Sequence, residues 1–280
     1  MNKGLVTKII DFSFVDGPGN RMAIFLQGCN FNCGYCHNPE TINKCIDCGI
    51  CVSACQSGAL KTINNKVIHN EEKCINCDQC ISLCPHSSTP KAKYYTVEQL
   101  YKRILNVKDF IQGITISGGE CTLQWQFIKE LFEKIKGSLE LTTFIDSNGY
   151  IEDIALDNLI PITDGFMLDL KGVSSEVHNS ITEQPNHKVI NSIEKIFKAG
   201  RMHELRYVVV PGVNDEENEI IKLGVLVNSL DRSIRTILIP FRNFGVKGRY
   251  RELDSPTKEK MEKIKDILIK QGLTKVIINN

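Results

Sequence analysis

Eight of the chain's twelve cysteines follow one spacing written twice. CIDCGICVSAC sets Cys45, Cys48, Cys51 and Cys55 at C-x2-C-x2-C-x3-C, and CINCDQCISLCP repeats it with Cys74, Cys77, Cys80 and Cys84. No run of 18 apolar residues appears, and MNKGLVTKIIDFSFVDG has neither the apolar core nor the cleavage site of a signal peptide, so the expected location is the cytoplasm, with no membrane contact. There the reducing poise keeps thiols free, and cysteines at this density point to metal sites rather than disulfides. Lys and Arg number 34 against 33 Asp and Glu, which lacks the cationic surplus of a general nucleic-acid binder. At 280 residues and 42% hydrophobic, the chain has enough apolar mass for one large core with a small satellite.

The doubled spacing is that of bacterial two-cluster ferredoxins, where three close thiolates hold one [4Fe-4S] cube and the fourth reaches across to the other. By that rule Cys45, Cys48, Cys51 and Cys84 form one ligand set, and Cys74, Cys77, Cys80 and Cys55 the second. Pro85 follows the last cysteine as the pattern asks, while Gln56 replaces the proline expected after Cys55. Two zinc knuckles are the bland alternative, but zinc sites usually take two ligands from each of two separated pairs.

Outside the runs stand Cys121 and the stretch FLQGCNFNCGYCHNPET, with Cys29, Cys33 and Cys36 at C-x3-C-x2-C. Three ligands do not close a cubane; an iron without a protein thiolate is open to an outside ligand, as a catalytic metal keeps a vacant position. This motif, with the aromatic Tyr35 before its last cysteine, resembles the signature of the radical S-adenosylmethionine (SAM) enzymes, in which the amino and carboxylate groups of SAM take the open iron.

From Tyr94 onward helical periodicity alternates with short β-branched runs, the pattern of βα units. Helices are predicted over Val97 to Phe110, Gln126 to Lys136 and Glu152 to Leu159, before the strands GITIS, LTTFI and GFMLDL. KVINSIEKIFKAG, stopped by Gly200, precedes ELRYVVV, and EENEIIKLGVLVNSL precedes RTILIPF. A last helix is predicted with Ser255 as N-cap and Pro256 at its first position, its core face carrying Met261, Ile264, Ile267 and Leu268. With RMAIFLQ this gives six parallel strands, too few for a closed eight-stranded barrel. The predicted fold is therefore α/β, a partial (β/α)6 barrel of the radical SAM type with an inserted two-cluster ferredoxin-like domain. Residues 1–40 supply its first part with the SAM-cluster loop, 41–92 the insert and 93–280 the remainder.

Barrels of parallel strands place their chemistry at the C-terminal strand ends. Each predicted strand runs into polar or glycine residues there: the cysteine loop, then Gly118, Gly119 and Glu120, then Asp146, Ser147, Asn148 and Gly149. Asp169 and Lys171 follow, then Pro211 and Gly212 with Arg206 inside the strand, and finally Arg242. Singly, each reads as a turn or a surface ion pair; together they mark one mouth.

VDGPGNR, GCNFNCGYCHNPET, the two cysteine runs directly after it, ISGGE, DSNG, MLDLK and LRYVVVPG together resemble the glycyl-radical-enzyme activating enzymes, most closely the YjjW-type subfamily, over nearly the whole chain. The resemblance implies three [4Fe-4S] clusters, one SAM-binding and two auxiliary, and reductive cleavage of SAM to a 5′-deoxyadenosyl radical. That radical takes a hydrogen from a glycine of a partner glycyl radical enzyme. It further implies that Gly118, Gly119 and Glu120 meet the methionine end of SAM, and that Asp169 and Lys171 fix its ribose and carboxylate region. Asp146, Ser147 and Met167 stand where relatives hold a monovalent cation. Arg206 lies near SAM and the target peptide, Asp16 faces the incoming glycine loop, and Tyr35 and His37 flank the last ligand.

The chain departs from that family at two positions. Arg242 stands where many activases carry a histidine, and Cys121 follows GGE where alanine or proline is common. A fourth cluster ligand at Cys121 would block SAM, so it reads as a small buried residue. The remaining histidines, His69, His86, His178, His187 and His203, show no metal spacing. A flavodoxin or ferredoxin is the expected electron donor, the setting anaerobic and the protein monomeric. The insert relays electrons or docks the partner; the residues do not choose. Two other readings stay open, a radical SAM enzyme acting on a small molecule and an iron-sulfur electron-transfer protein. VDGPG favours a peptide target, and the polar strand ends disfavour an inert carrier.

Overall fold

The β-branched runs and amphipathic stretches fold as their periods require. In the computed structural model, which describes residues 2–279, they form a mainly parallel sheet flanked by helices. In chain order the elements are β1 (Lys3–Ser13), β2 (Arg21–Leu26), β3 (Leu60–Ile63), β4 (Lys66–His69), α1 (Gln79–Ser82), β5 (Lys93–Thr96) and α2 (Val97–Val107). Next come β6 (Gly113–Gly118), α3 (Trp125–Lys136), β7 (Thr142–Ser147), α4 (Asp153–Leu159), β8 (Gly165–Asp169), α5 (Ser175–Thr182) and α6 (His187–Lys198). The chain ends through β9 (Met202–Val209), α7 (Glu217–Leu230), β10 (Thr236–Pro240), α8 (Lys258–Lys270) and β11 (Val276–Ile278).

The main sheet has nine strands in the order β11-β10-β9-β8-β7-β6-β2-β1-β5. Neighbours from β2 to β11 pair in parallel, and β1 is antiparallel to both β2 and β5. Helices between successive parallel strands bury Ile128, Leu131, Ile193, Ile196, Leu223 and Leu268 against Ile114, Ile116, Leu205 and Leu238 in one core. The six expected strands are all present, and the sheet is wider than six: β1, β5 and β11 extend it. In β1 buried and exposed residues do not alternate regularly, and β11 has only three residues, so neither carries a strong strand signal. The last helix also starts two residues later than expected. Thr257, not Ser255, accepts the capping bond, from the Lys260 N–H at 3.2 Å.

Between β2 and β5 the chain leaves the sheet, builds the two-stranded pair β3-β4, and returns. That hairpin turns on Asn64 and Asn65, both at positive φ (50° and 59°), the left-handed pair a two-residue hairpin turn requires. The doubled cysteine spacing also has a doubled backbone: Asp47 and Asn76, each two residues after the first cysteine of its run, share positive φ (59° and 54°).

The loop between β1 and β2 lies at the N-terminal ends of the parallel strands, opposite the cysteine loop. Its anchor is Arg21, fully buried, whose guanidinium donates to Thr115 Oγ1 (2.8 Å), Ile114 O (2.9 Å) and Thr142 Oγ1 (2.9 Å) and lies over the Phe144 ring. Burial pushes its pKa down to about 10, leaving it charged at neutral pH. So held, the loop folds inward, and the Thr115 hydroxyl donates to Asp16 O at 2.5 Å.

Candidate active site

Leu26 ends β2 at Gln27 and Gly28, where the chain turns into the three-cysteine loop. Backbone bonds pin this loop: Gly28 N–H to Thr41 O (2.8 Å), Cys29 N–H to Ile42 O (3.0 Å) and Gly34 N–H to Ile181 O (2.9 Å). Gly118 at φ +134° and Gly119 pass so close to Leu26 and Gly28 that a Cβ on either would strike backbone. The glycines of ISGGE thus let the β6 turn lie against the cysteine loop.

Beside that loop is a cavity of about 360 Å³, within the range of small-molecule sites. Its walls include Cys29, Cys33, Tyr35, Cys36 and His37 from the loop, Ser117 to Gly119 from β6, and Asp146 to Asn148 from β7. Asp169, Lys171 and Arg206 complete it, and Asp16 reaches it from the opposite end of the strands. Most of the expected site residues therefore line one cavity.

Three carboxylates face two cations here. Lys171 Nζ lies 2.7 Å from Asp169 Oδ2, and Arg206 Nη1 lies 3.1 Å from Asp146 Oδ1. Burial raises the pKa of Asp146, helped by Asp169 and opposed by Arg206. Burial alone would lower the pKa of Lys171, but Asp169 and the neighbouring phenol and thiols outweigh it and drive the pKa upward. The Tyr35 side chain is buried beneath Lys171, whose Nζ lies 5.5 Å from the ring centroid, and its hydroxyl has no hydrogen-bond partner among the described residues. A cavity with one surplus negative charge and an unsatisfied hydroxyl fits a polar ligand of net positive charge such as SAM.

The three sulfurs also fit a metal group. Burial pushes the Cys29 and Cys33 thiols up to about 12 and raises Cys36, so bare thiolates are disfavoured. A cationic iron-sulfur core supplies the charge that deprotonates such ligands. Cys29 Sγ already accepts from the Phe31 N–H at 3.4 Å and faces Asn148 Nδ2 at 3.8 Å. Among the described residues, no three His, Cys, Asp or Glu side chains converge on a single-ion position.

Three expected site residues stand outside the cavity lining. Glu120 is buried behind it, its carboxylate accepting from Thr122 N–H and hydroxyl, Ser147 hydroxyl and Asn148 N–H at 2.5 to 3.0 Å. It braces the β6 turn to the β7 turn rather than facing a ligand. Met167 is fully buried and meets Arg206 Nη2 through its sulfur at 2.9 Å. Arg242 is exposed and lines a separate cavity near the start of α8; only its backbone O approaches the site, 2.6 Å from His37 Nε2. The side-chain donors expected to hold a monovalent cation are also engaged, Asp146 by Arg206 and Ser117, Ser147 by Glu120 and Gly149 N–H. Those donors as they stand do not fit a cation, because the Arg206 guanidinium supplies the positive charge.

Cys45, Cys48, Cys51 and Cys84 line one small cavity with Pro85, so the structure brings the fourth cysteine of the second run to the first three of the other. Cys51 and Cys80 are buried with Leu60 and Val67, Cys55 packs against them, and Cys48 and Cys77 are exposed. Cys74 borders a larger cavity between this segment and β1 and β5.

Among the strand-end residues Asn148 stood out only as part of a turn, and Glu204 did not stand out at all. Asn148 also bonds Asn30 Oδ1 at 2.9 Å, tying the β7 turn to the cysteine loop. Glu204 stands two residues before Arg206, on the same strand face, and takes its Nε at 2.6 Å; the period-2 pairing was the available signal.

Fold and site together define an α/β protein whose thiol-bearing loop overhangs the C-terminal ends of its parallel strands. The chain belongs to the radical SAM superfamily, whose family model matches residues 23–224, and that membership brings a [4Fe-4S] cluster and SAM. Among curated relatives, a (2S)-3-sulfopropanediol dehydratase activating enzyme of Klebsiella oxytoca is 31% identical, over 93% of this chain and 89% of its own. A pyruvate formate-lyase-activating enzyme of Staphylococcus epidermidis is 28% identical over 100% and 97%. The pyruvate formate-lyase 1-activating enzyme of Escherichia coli is 29% identical over 92% of each. In fold, QueE of Escherichia coli matches 99% of this chain and 94% of its own with a TM-score of 0.56 at 13% identity. A domain of a pyruvate-formate lyase-activating enzyme from Bacteroides vulgatus matches 60% and 99% with a TM-score of 0.52 at 22% identity.

Proposed function

We propose that this protein activates a glycyl radical enzyme by removing a hydrogen from one of its glycines. The observation that carries this is the meeting of Asp16, from the opposite end of the strands, with Cys29, Cys33 and Cys36 in one cavity. A site for SAM alone has no use for a loop from the far end; a site where SAM meets a polypeptide does. The names of the relatives, activating enzymes over most of both chains, support the same reading.

When bound, the cluster and SAM supply the radical chemistry: one electron entering the sulfonium breaks a carbon-sulfur bond, giving methionine and a 5′-deoxyadenosyl radical that takes the glycine hydrogen. The chain's own residues bind, orient and exclude water. In this reading Cys29, Cys33 and Cys36 hold the cluster. Gly118 and Gly119 bring backbone to the methionine end, and Asp169 with Lys171 fixes the ribose and carboxylate. Asp146 and Arg206 set the charge beside the reacting groups, with Met167 packed on the guanidinium. Tyr35 offers its free hydroxyl, His37 holds the chain after the last ligand, and Asp16 meets the target loop. No step is assigned to Arg242 or to a monovalent cation.

Residues 41–92 are a ferredoxin-like insert with two auxiliary clusters, held by Cys45, Cys48, Cys51 and Cys84 and by Cys74, Cys77, Cys80 and Cys55. The shared cavity of the first set and the repeated left-handed residues support this. On either side, 1–40 and 93–280 form a partial barrel. A flavodoxin or ferredoxin is the electron donor, and the protein works as a monomer in an anaerobic cytoplasm. No helix among the described residues is long and apolar enough to cross a membrane.

The test is anaerobic: reconstitute with iron and sulfide, reduce, add SAM and measure 5′-deoxyadenosine. The wild type forms it, and Cys33→Ala forms none. A glycyl radical signal on the partner, by electron paramagnetic resonance, then separates an activase from an enzyme of small molecules. Equal product from Cys33→Ala would end the reading.

A further inference from the structure

Arg206 is not confined to the SAM cavity. It also lines a second cavity of about 450 Å³, between the β1-β2 loop and the free edge of β11, with Phe14, Val15, Gly17, Pro18, Arg235 and Ile277 among its walls. Phe14 and Val15 are 76% and 84% exposed there, large apolar side chains held in water at the lip of an opening. Arg206 and Ile239 border both cavities, so the two share a wall to which Arg206 belongs.

Through that partition runs a chain of alternating charge. Asp146 Oδ1 takes Arg206 Nη1 at 3.1 Å, Arg206 Nε meets Glu204 Oε1 at 2.6 Å, and Glu204 Oε2 meets Arg235 Nε at 3.0 Å. The first three side chains are buried, falling from 19% exposed at Asp146 through 15% at Arg206 to 10% at Glu204, and only the last, Arg235, reaches water at 47% exposed. A buried carboxylate held by two guanidinium groups has two tenants, and what happens to one changes its hold on the other. Arg235 uses only Nε here; no hydrogen bond from its other nitrogens to protein is present among the described residues, and the residue lines the outer cavity.

Building on the activase reading, we propose that Arg235 is the residue by which the partner's polypeptide in the outer cavity acts on the SAM site, with Glu204 as the positioning residue between them. Backbone carbonyls of an entering segment draw Arg235 toward themselves. Glu204 is then left to Arg206, pulls the guanidinium away from Asp146, and frees that carboxylate to face the positively charged ligand. Partner and SAM thereby strengthen each other's binding, equally in both directions.

The experiment uses the cluster-loaded protein and the glycyl radical enzyme that the wild type is shown to activate. SAM affinity is measured from the change in the reduced cluster's paramagnetic spectrum, with and without that enzyme. The wild type is expected to bind SAM about fivefold or more tightly with the partner present, a coupling in the ordinary range. In Arg235→Gln the enhancement falls below about twofold, and Arg235→Lys, which keeps a cation for Glu204, restores part of it. Glu204→Gln loses the enhancement as well. If the wild type shows no enhancement, or Arg235→Gln keeps it in full, the proposal is overturned. A wild type that activates no glycyl radical enzyme overturns the activase reading instead, and the two failures are distinct.

Discussion

Cys121 is the cysteine left over when the other eleven are assigned to clusters. Its thiol is fully buried and donates to Asp146 O at 3.4 Å and Ile116 O at 3.6 Å, and burial pushes its pKa well above the ordinary thiol value. A protonated thiol committed to two carbonyls is a packing group, not a ligand. Cys121→Ala is therefore expected to retain the full iron content and the SAM affinity of the wild type. Its cost is about 1 kcal/mol of stability, from the lost sulfur volume and its weak bonds, read from denaturant unfolding. Loss of iron in that variant would make Cys121 a ligand and leave no position open for SAM. Glu120 shows the same distinction in a charged group. Next to a cluster motif, a carboxylate after two glycines invites a ligand role, yet four protein groups already fill it.

At the scale of elements, α3 and β7 are joined by Asp164 rather than by apolar packing alone. Its carboxylate takes Lys136 Nζ, from the last residue of α3, at 2.7 Å, and the N–H of Thr143, the second residue of β7, at 2.9 Å. Partial burial would raise its pKa, but Lys136 and Thr143 outweigh burial and the pKa is lowered. A depressed carboxylate stabilises the fold above its unfolded value and loses that contribution as pH falls through the folded value. Asp164→Asn is expected to cost about 1 kcal/mol at pH 6, a difference that shrinks as the pH falls below about 4. Urea unfolding at both pH values checks it; a gap that stays constant would mean the loss is packing, not charge. The elements themselves were legible in the sequence where one face is apolar over several residues, as in GITIS or the Met261, Ile264 and Leu268 face. They were not legible where a strand is short or unevenly buried, as in β11 and β1, or where the chain's choice lies between adjacent caps, as between Ser255 and Thr257. The cavity-lining residues Asp146, Asp169, Lys171 and Arg206 could be read because strand ends converge. Glu204 left only a weak mark, its two-residue spacing from Arg206, because its second partner, Arg235, lies just before the neighbouring strand β10 and no local pattern names it.

For the whole molecule, the cysteine assignment fixes a charge that composition conceals. The apoprotein carries +1 at neutral pH and a sequence pI near 7.5. Each four-cysteine cluster with an oxidised core of about +2 brings about −2, and the three-cysteine cluster about −1. A chain loaded with three clusters therefore reaches roughly −4, against about 0 for a chain holding the SAM cluster alone. Anaerobic isoelectric focusing with iron analysis separates these states. The expected result is about twelve irons and a pI clearly below the sequence value. Replacing Cys45, Cys48, Cys51 and Cys84 by serine should remove about four irons and return about two charges, shifting the pI upward. The crossed ligand rule makes this sharper than a count. If Cys84→Ser lowers the iron bound by the Cys45 set while Cys55→Ser lowers that of the Cys74 set, the runs exchange their fourth ligands. If each variant instead empties its own run, the shared cavity of Cys45, Cys48, Cys51 and Cys84 is not a cluster site and the ferredoxin-like reading of residues 41–92 falls with it.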